Sequence, residues 1–248
     1  MSTIRKLRLT NNKFIFVLLC IIIFFSSLVY QLPSWAIGSF IDKYSDGKLK
    51  LFNANGSFWL GDALLVANDG RKNESSAIAL IHWHSKLGLK KYLDIDFYVG
   101  DKKVADIYVN KQGIFLTNLS VSFSLKEITL FLSSIQDLNV SGVLNITSDH
   151  ILFNKHAEGK VNIMINHLSS AISKINPLGN YAINYDLLSS AINVNTLPDS
   201  VLNLTGSGTA TNLSLEASIS PEHRNDMRQF ISIFGEPLPN GNYKLKVF

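Results

Sequence analysis

The residues best suited to chemistry in this sequence form two pairs with alternate spacing. One residue separates His82 from His84, and one residue separates Asp94 from Asp96. Alternate residues of a β-strand share a face, so the two imidazoles could begin a metal site and the two aspartates could form a carboxylate pair. No third ligand is visibly placed beside the histidines, and the solvated face of a strand explains both pairs. We therefore predict solvent-facing pairs and no metal site.

Other signatures of catalysis are missing from the sequence. It contains no G-x-S-x-G nucleophile elbow, no phosphate-binding loop and no dinucleotide-binding glycine motif. Its single cysteine, Cys20, excludes a disulfide within the chain and a cysteine-based zinc site. We predict a protein that is not an enzyme, with no catalytic residue and no cofactor.

The charge of the chain is concentrated at its N-terminus. The sequence has 248 residues, of which 46% are hydrophobic and 17% are charged, and its net charge is +4. Residues 33–248 contain 19 basic and 19 acidic residues, so the excess comes from four N-terminal cations. These cations are Arg5, Lys6, Arg8 and Lys13. This distribution indicates a membrane-topology signal and argues against nucleic-acid binding.

An uncharged segment follows these cations. Residues 14–32 form a stretch of 19 residues without charge, close to the length of about 20 that a membrane-spanning helix needs. We predict a cytoplasmic N-terminus at 1–13, a transmembrane anchor at 14–32 and an exported β domain at 33–248. A cleaved signal peptide is the alternative, because Ser34 and Ala36 provide small residues at the spacing of a cleavage site.

Beyond residue 49 the hydrophobic pattern has a period of two, which is typical of half-buried strands. Clear examples are 93–99, 119–123, 161–166, 202–204, 213–218 and 243–247. Turn residues separate the runs at Asn55-Gly56, Gly100-Asp101, Gly113, Ser141-Gly142, Gly179-Asn180, Pro198-Asp199 and Asn240-Gly241. The sequence therefore predicts a mainly β fold, with a long, curved, mostly antiparallel sheet in a meander or open barrel-like arrangement.

Two or three short helices are predicted beside the sheet. Ser34 is placed to cap a helix that ends near Gly47, which either lies close to the membrane or packs under the β domain. Ser124 begins a capping box, followed by apolar residues at helical spacing through Ile135. Ser220 precedes a proline at the start of a third helix, whose apolar face is Met227, Phe230, Ile231 and Phe234 and which Gly235 ends.

Three stretches of the chain carry motifs of glycine, proline and aromatic residues. The motif positions are Gly56, Trp59, Gly61, Pro177, Leu178, Gly179, Tyr181, Gly206, Gly208, Gly235, Pro237, Gly241 and Tyr243. In order and spacing they resemble the type II (general) secretion system protein N family of Gram-negative bacteria. Gly56 and Gly61 bracket Trp59, as if a large ring packs where the backbone comes close, and Trp59 is either a packing residue or a docking residue.

The resemblance implies a non-enzymatic accessory component of the type II secretion apparatus, which exports folded periplasmic proteins across the outer membrane. It implies a single-pass protein of the inner membrane, with a cytoplasmic N-terminus and its bulk in the periplasm. Its partners would be other subunits of the apparatus, contacted through the motif residues, sheet edges or loops. A second hypothesis is a membrane-anchored periplasmic lipid-binding or lipid-transfer protein, because an apolar sheet face with few covering helices could shelter acyl chains.

Overall fold

The computed structural model describes residues 3–69, 74–126, 138–209 and 211–245. Its helices are α1 (Thr3–Tyr30), α2 (Trp35–Tyr44), a 3₁₀ turn (Pro221–His223) and α3 (Arg224–Phe234). Its strands are β1 (Leu49–Gly56), β2 (Leu60–Asp69), β3 (Glu74–Leu87), β4 (Leu93–Val99), β5 (Lys102–Asn110), β6 (Gly113–Ser124), β7 (Val140–Phe153), β8 (Ala157–Ser170), β9 (Gly179–Asp186), β10 (Ala191–Thr196), β11 (Leu202–Thr209), β12 (Asn212–Ile219), β13 (Gly235–Pro237) and β14 (Tyr243–Leu245).

All described strands belong to one antiparallel sheet. The strand order follows the chain from β1 to β12, after which β14 lies between β12 and β13. The prediction of a mainly β protein with a long, open antiparallel meander and few short helices is therefore confirmed. Most neighbouring strands are joined by short connections, as the alternating pattern and turn residues indicated, whereas residues 125–139 separate β6 from β7, and α3 and β13 separate β12 from β14.

Not every predicted turn is a turn. Gly100-Asp101 and Pro198-Asp199 do connect strands, whereas Asn55-Gly56 ends β1 and Gly179-Asn180 begins β9. The turn predicted at Ser141-Gly142 is wrong, because both residues lie in β7. Gly142 has a φ of +144° and lies where the register between β7 and β8 shifts. It therefore forms part of a β-bulge.

The ends of the helices differ from the predicted caps. Ser34 and Ser220 make no side-chain capping hydrogen bond, and the Ser34 hydroxyl instead donates to the carbonyl of Ala54 at 3.3 Å. The helix α2 packs on the sheet through the buried side chain of Ile37, as one of its two interpretations proposed. The helix predicted from Ser124 to Ile135 lies outside the described residues from position 127 onward.

One face of the sheet is apolar along its length, and we call it the inner face. Across β6 to β10, the directly paired residues Val121, Ile146, Ile163, Ile183 and Val194 form one row on it. Two separate clusters of buried residues lie on this face, one under α2 and one under α3. Ile146, Ile163 and Ile183 are half-buried and belong to neither cluster.

The two clusters have different centres. The N-terminal core, under α2, surrounds Trp83 and includes Ile37, Ile81, Ile95 and Phe97. The C-terminal core, under α3, contains Leu178, Leu202, Ala217, Ile219, Met227, Phe230 and Ile231. The apolar residues of α3 that the sequence placed on one face thus do face the sheet.

Over the part of the chain that the structure describes, no helix combines the length and the hydropathy needed to cross a membrane. On that measure the structure gives no support to the transmembrane segment predicted at residues 14–32.

Candidate functional site

Trp59 joins the sheet to the end of α1. It lies in the short loop between β1 and β2, and its Nε1–H donates to the backbone oxygens of Val29 and Tyr30, at 3.1 Å each. The last carbonyl groups of a helix have no partner within the helix. Trp59 supplies a donor for two of them, so it fixes where α1 meets the β domain.

The loop that carries Trp59 is itself held from both sides. The N–H of Phe58 donates to the carbonyl of Leu32 at 2.9 Å, which ties the loop to the chain just after α1. Ser85 of β3 donates its N–H to the carbonyl of Trp59 at 2.7 Å and its hydroxyl to that of Phe58 at 2.8 Å. These bonds connect the end of α1 through the loop to β3.

The ring packed against Gly61 of this motif is Trp83, and not Trp59 as the spacing of the glycines suggested, whereas Gly56 lies against the backbone of Leu60 and Gly61. Trp83 is fully buried, and its Nε1–H donates to the carbonyl of Ser57 at 3.1 Å. A methyl group at Gly61 would overlap this ring and the carbonyl oxygen of Asn55. Sequence reasoning missed Trp83 as the partner because it lies on a different strand, although a tryptophan between two histidines was a signal.

The second motif builds the C-terminal core. Tyr181 is buried, and its hydroxyl donates to the carbonyl of Leu202 at 2.8 Å. Burial raises the pKa of this phenol well above its ordinary value. Leu178, also buried, accepts hydrogen bonds from the N–H groups of Val201 and Leu202 at 3.0 and 2.9 Å. These residues fasten the segment before β9 to the start of β11.

The glycines that follow let β11 and β12 approach closely. A methyl group at Gly206 would overlap the carbonyl of Ser214 and the side chain of Leu215. At Gly208 it would overlap the backbone of Asn212. Both glycines therefore have a packing role.

The third motif forms the last hairpin. Gly235 ends α3 with an extended backbone, and Pro237 pairs with Tyr243 across β13 and β14. Gly241 has a φ of +84° in the connecting loop, the conformation expected for Asn240-Gly241. Taken together, the motif residues lie at two opposite ends of the sheet and do not converge on one site.

Asp94 and Asp96 lie on the outer face of the sheet, yet they are buried, so the prediction of a solvated pair is wrong. Asp96 is 8% exposed, and Asp106 on β5 is buried beside it. The Lys103 ammonium contacts Asp96 at 2.7 Å and also pairs with Asp106. Lys86 lies 3.5 Å from Asp94 and 3.6 Å from Asp96. We call these residues, with Lys91, the ionic cluster.

The electrostatics of this cluster favour the ionised forms. Burial alone would raise the pKa of the Asp96 carboxyl, but the hydrogen bond from Lys103 and the charges of Lys103 and Lys86 outweigh it. The pKa of Asp96 therefore lies below its ordinary value. Burial would lower the pKa of Lys103, and its two carboxylate partners raise it overall. With three aspartates facing three lysines, the cluster is neutral and suited to holding strands together.

An aromatic stack extends the ionic cluster toward β7. The Lys91 ammonium, 3.5 Å from Asp94, also lies 4.3 Å above the ring of Tyr108. Tyr108 stacks on Phe115 with ring centres 4.6 Å apart. The ring of Phe115 also lies against that of His150, with ring centres 5.1 Å apart. Within the described residues, no group of three histidine, cysteine or acidic side chains is placed to hold a metal ion, at His82 and His84 or elsewhere.

An apolar cavity opens on the inner face beside α2. It has a volume of about 270 Å³. Its lining residues are Phe40, Ile41, Tyr44, Ser45, Leu49, Ile107, Ile114, Leu116 and Phe153. Nearly all of these side chains are apolar or aromatic, so the cavity can accept hydrocarbon.

Comparison with known proteins identifies the chain through most of its length. The family model of the type II secretion system (T2SS), protein N, matches residues 47–246, from just before β1 through the last described strand. No curated protein and no solved structure matches the chain. The match includes all three motif stretches, and the chain therefore belongs to the type II secretion system protein N family.

Proposed function

We propose that this component of the type II secretion system is a non-enzymatic, single-pass protein of the inner membrane that supports export of folded periplasmic proteins through protein–protein contacts. Residues 1–13 then lie in the cytoplasm, 14–32 cross the membrane and 33–248 lie in the periplasm. The uncharged sequence of 14–32 and the four cations before it support this topology. The apolar side chains of α1 from Phe16 to Val29 are also exposed, as lipid-facing side chains would be.

The contact role is carried by the edge of the sheet at β1. Phe52 on β1 and Leu60 at the start of β2 are large apolar side chains that are mostly exposed. Among the described residues, the backbone of Lys50–Phe52 pairs only on the side of β2. An exposed edge of this kind can bind an extended segment of a partner as an added strand. Because Trp59 ties the neighbouring loop to α1, this edge would lie close to the membrane.

Photo-crosslinking in living cells tests this proposal. A crosslinking residue replaces Phe52, and a matched control replaces Thr211, which is exposed in the turn between β11 and β12. We expect protein adducts with other secretion subunits at position 52 and not at 211. A deletion strain with unchanged secretion and unchanged assembly of the apparatus would contradict the proposed role.

A lipid-binding role is a second candidate, favoured by the apolar cavity beside α2 and the half-buried inner face of β7–β10. An acyl chain placed there gains about 0.8 kcal/mol for each buried methylene group. The edge hypothesis and this one predict different adducts. A crosslinker at Ile163 on the inner face should give adducts of lipid mass if the face carries lipid. Extracts of the gently purified protein that contain no lipid would argue against this role.

A further inference from the structure

The loop between β3 and β4 exposes apolar side chains at its tip. Leu89 is 99% exposed and Leu87 is 62% exposed, and Tyr92 at the end of the loop is also exposed. A cluster of exposed apolar side chains on a folded domain generally marks a surface that contacts another molecule or a membrane. None of the motif residues lies in this loop, so the family motifs leave it unexplained.

The start of this loop lies against α1. Leu87 lines a recess together with Phe25 and Val29 of α1 and with Trp59. Ser85, two residues earlier, makes two hydrogen bonds to the loop of Trp59, whose ring in turn holds the end of α1. Leu87 therefore lies beside the last turns of α1, and Leu89, two residues further along the chain, is fully exposed.

Lysine side chains lie next to the apolar tip, and one of them has no ion pair among the described residues. Lys90 follows Leu89 directly, is exposed and has no ion-pair partner among the described residues. Lys86 and Lys91 flank the loop, and their pairing with Asp94 leaves about half of each side chain exposed. An apolar tip with adjacent lysines matches an anionic lipid surface, where the apolar groups enter the interface and the lysines reach the phosphates.

We propose that the segment Leu87–Tyr92 is a second membrane contact, which inserts Leu89 into the interface of an anionic phospholipid bilayer beside α1. This inference rests on the proposed membrane anchor. Two points of attachment hold the sheet in one orientation to the bilayer, whereas α1 alone would let the domain rotate. A phospholipid surface fits better than a protein partner because the loop begins at Leu87, which lies against α1, and because Lys90 carries the charge that anionic headgroups attract.

Site-specific fluorescence quenching in vesicles tests the contact. The full chain is reconstituted into vesicles of phosphatidylethanolamine and phosphatidylglycerol that contain nitroxide-labelled lipid as the quencher. Cys20 is the single cysteine, so Leu89→Cys in a Cys20→Ser background gives one labelled position at an exposed residue. Asp101→Cys, in the turn at the opposite end of β4, is the matched control, and the native Cys20 reports on the anchor itself.

We expect severalfold stronger quenching at position 89 than at position 101. Lys90→Glu, or vesicles of neutral phosphatidylcholine, should reduce the difference. If position 89 is quenched no more than position 101 while the label on Cys20 is strongly quenched, the loop contact is overturned and the anchor stands. If the label on Cys20 is not quenched, the anchor proposal fails and the loop contact fails with it.

Discussion

The two ends of the sheet are both covered by a short helix, but they are stabilised differently. At the N-terminal core, α2 contributes Ile37 to a cluster around Trp83, and the opposite face of the same strands holds the buried aspartates of the ionic cluster. At the C-terminal core, α3 contributes Met227, Phe230 and Ile231. The opposite face of β11 and β12 exposes small polar residues such as Ser207 and Ser214.

This comparison shows that burial of one face of an antiparallel sheet can be enough to form a core. Where both faces are buried, as at the N-terminal core, the strands also connect to other parts of the molecule. The strands of the N-terminal core connect to α1 through Trp59 and to the loop of Leu89. We interpret the ionic cluster as a feature that makes the pairing of these strands more specific than apolar packing alone would, and that keeps this end of the sheet rigid.

The largest expected effect is at Trp83. Trp83→Ala removes a fully buried ring and its hydrogen bond to Ser57, which should lower the free energy of unfolding by about 3–5 kcal/mol. Urea unfolding followed by circular dichroism measures this. Trp35→Ala, at an exposed position, is the control and should change stability by less than about 0.5 kcal/mol. Equal effects of the two substitutions would contradict the proposed N-terminal core.

A smaller loss of stability, confined to the C-terminal core, is expected from substitution of Met227. Met227→Ala leaves a cavity under α3 and should cost about 2–4 kcal/mol. Hydrogen exchange should show the loss of protection in β11 and β12 and not in β3 and β4. Ile233→Ala on the exposed side of α3 should leave exchange unchanged. Loss of protection spread evenly over the sheet would mean that the two cores are one cooperative unit.

Lys103→Met should destabilise the N-terminal core by about 1–2 kcal/mol at neutral pH, because Asp96 and Asp106 lose a partner while Lys103 itself is partly exposed. Thermal unfolding followed by tryptophan fluorescence is the measurement, since all three tryptophans lie at this end of the chain. Lys102→Met, with no ion pair among the described residues, is the matched control. Equal stability of the two variants would show that the ionic cluster contributes nothing.

Acidic pH should lower the stability of the N-terminal core. The pKa of Asp96 lies below its ordinary value in the folded protein. Its contribution is therefore fully present above the unfolded-state pKa of about 4 and is lost as the pH falls through the folded-state pKa. Tryptophan fluorescence should report lower stability below pH of about 4, and Asp96→Asn should flatten this dependence. An unchanged acid response in Asp96→Asn would assign the effect to other carboxylates.

The smallest effect on stability is expected for Trp59→Phe. The substitution keeps most of the ring and removes the donor to Val29 and Tyr30, which should cost about 0.5–1 kcal/mol. The junction should loosen more than the sheet, so limited proteolysis within residues 31–34 should become faster. Unfolding of the sheet itself should change little. Unchanged cleavage would show that the hydrogen bonds from Trp59 do not hold α1 in place.

Much of the fold was predictable from the sequence, because strands and turns leave local patterns. The alternation at 161–166 and 213–218 identified β8 and β12, and the turn predicted at Asn240-Gly241 does lie between β13 and β14. The turn predicted at Ser141-Gly142 was wrong because the sequence does not distinguish a glycine in a β-bulge from a glycine in a turn. Ser220 has the type of a capping residue, but its hydroxyl is buried without a hydrogen-bond partner in the described structure.

The partners of the candidate residues could not be predicted, because they come from other strands. Asp96 appeared solvated since its own strand alternates apolar and polar residues, and its burial depends on Lys103 and Asp106 of β5. Trp59 was singled out in the sequence as a packing or docking residue, but its hydrogen-bond acceptors are the backbone carbonyls of Val29 and Tyr30, 30 and 29 positions earlier. Every residue carries a backbone carbonyl group, so the sequence does not indicate which of these groups accepts a hydrogen bond from Trp59.

The strand order has a consequence for how the protein is made. From β2 to β12 each strand pairs with the one synthesised immediately before it, so a chain that emerges N-terminus first can add one hairpin at a time. Most steps close a short loop, which keeps the entropic cost of pairing low, and the longest of these connections, residues 125–139, lies between β6 and β7. Among the described strands, β13 departs from this order, because it does not pair with β12 and is joined to the sheet only by β14, which enters between the two. Assembly would therefore proceed directionally along the chain, with the insertion of the final strand as its closing event.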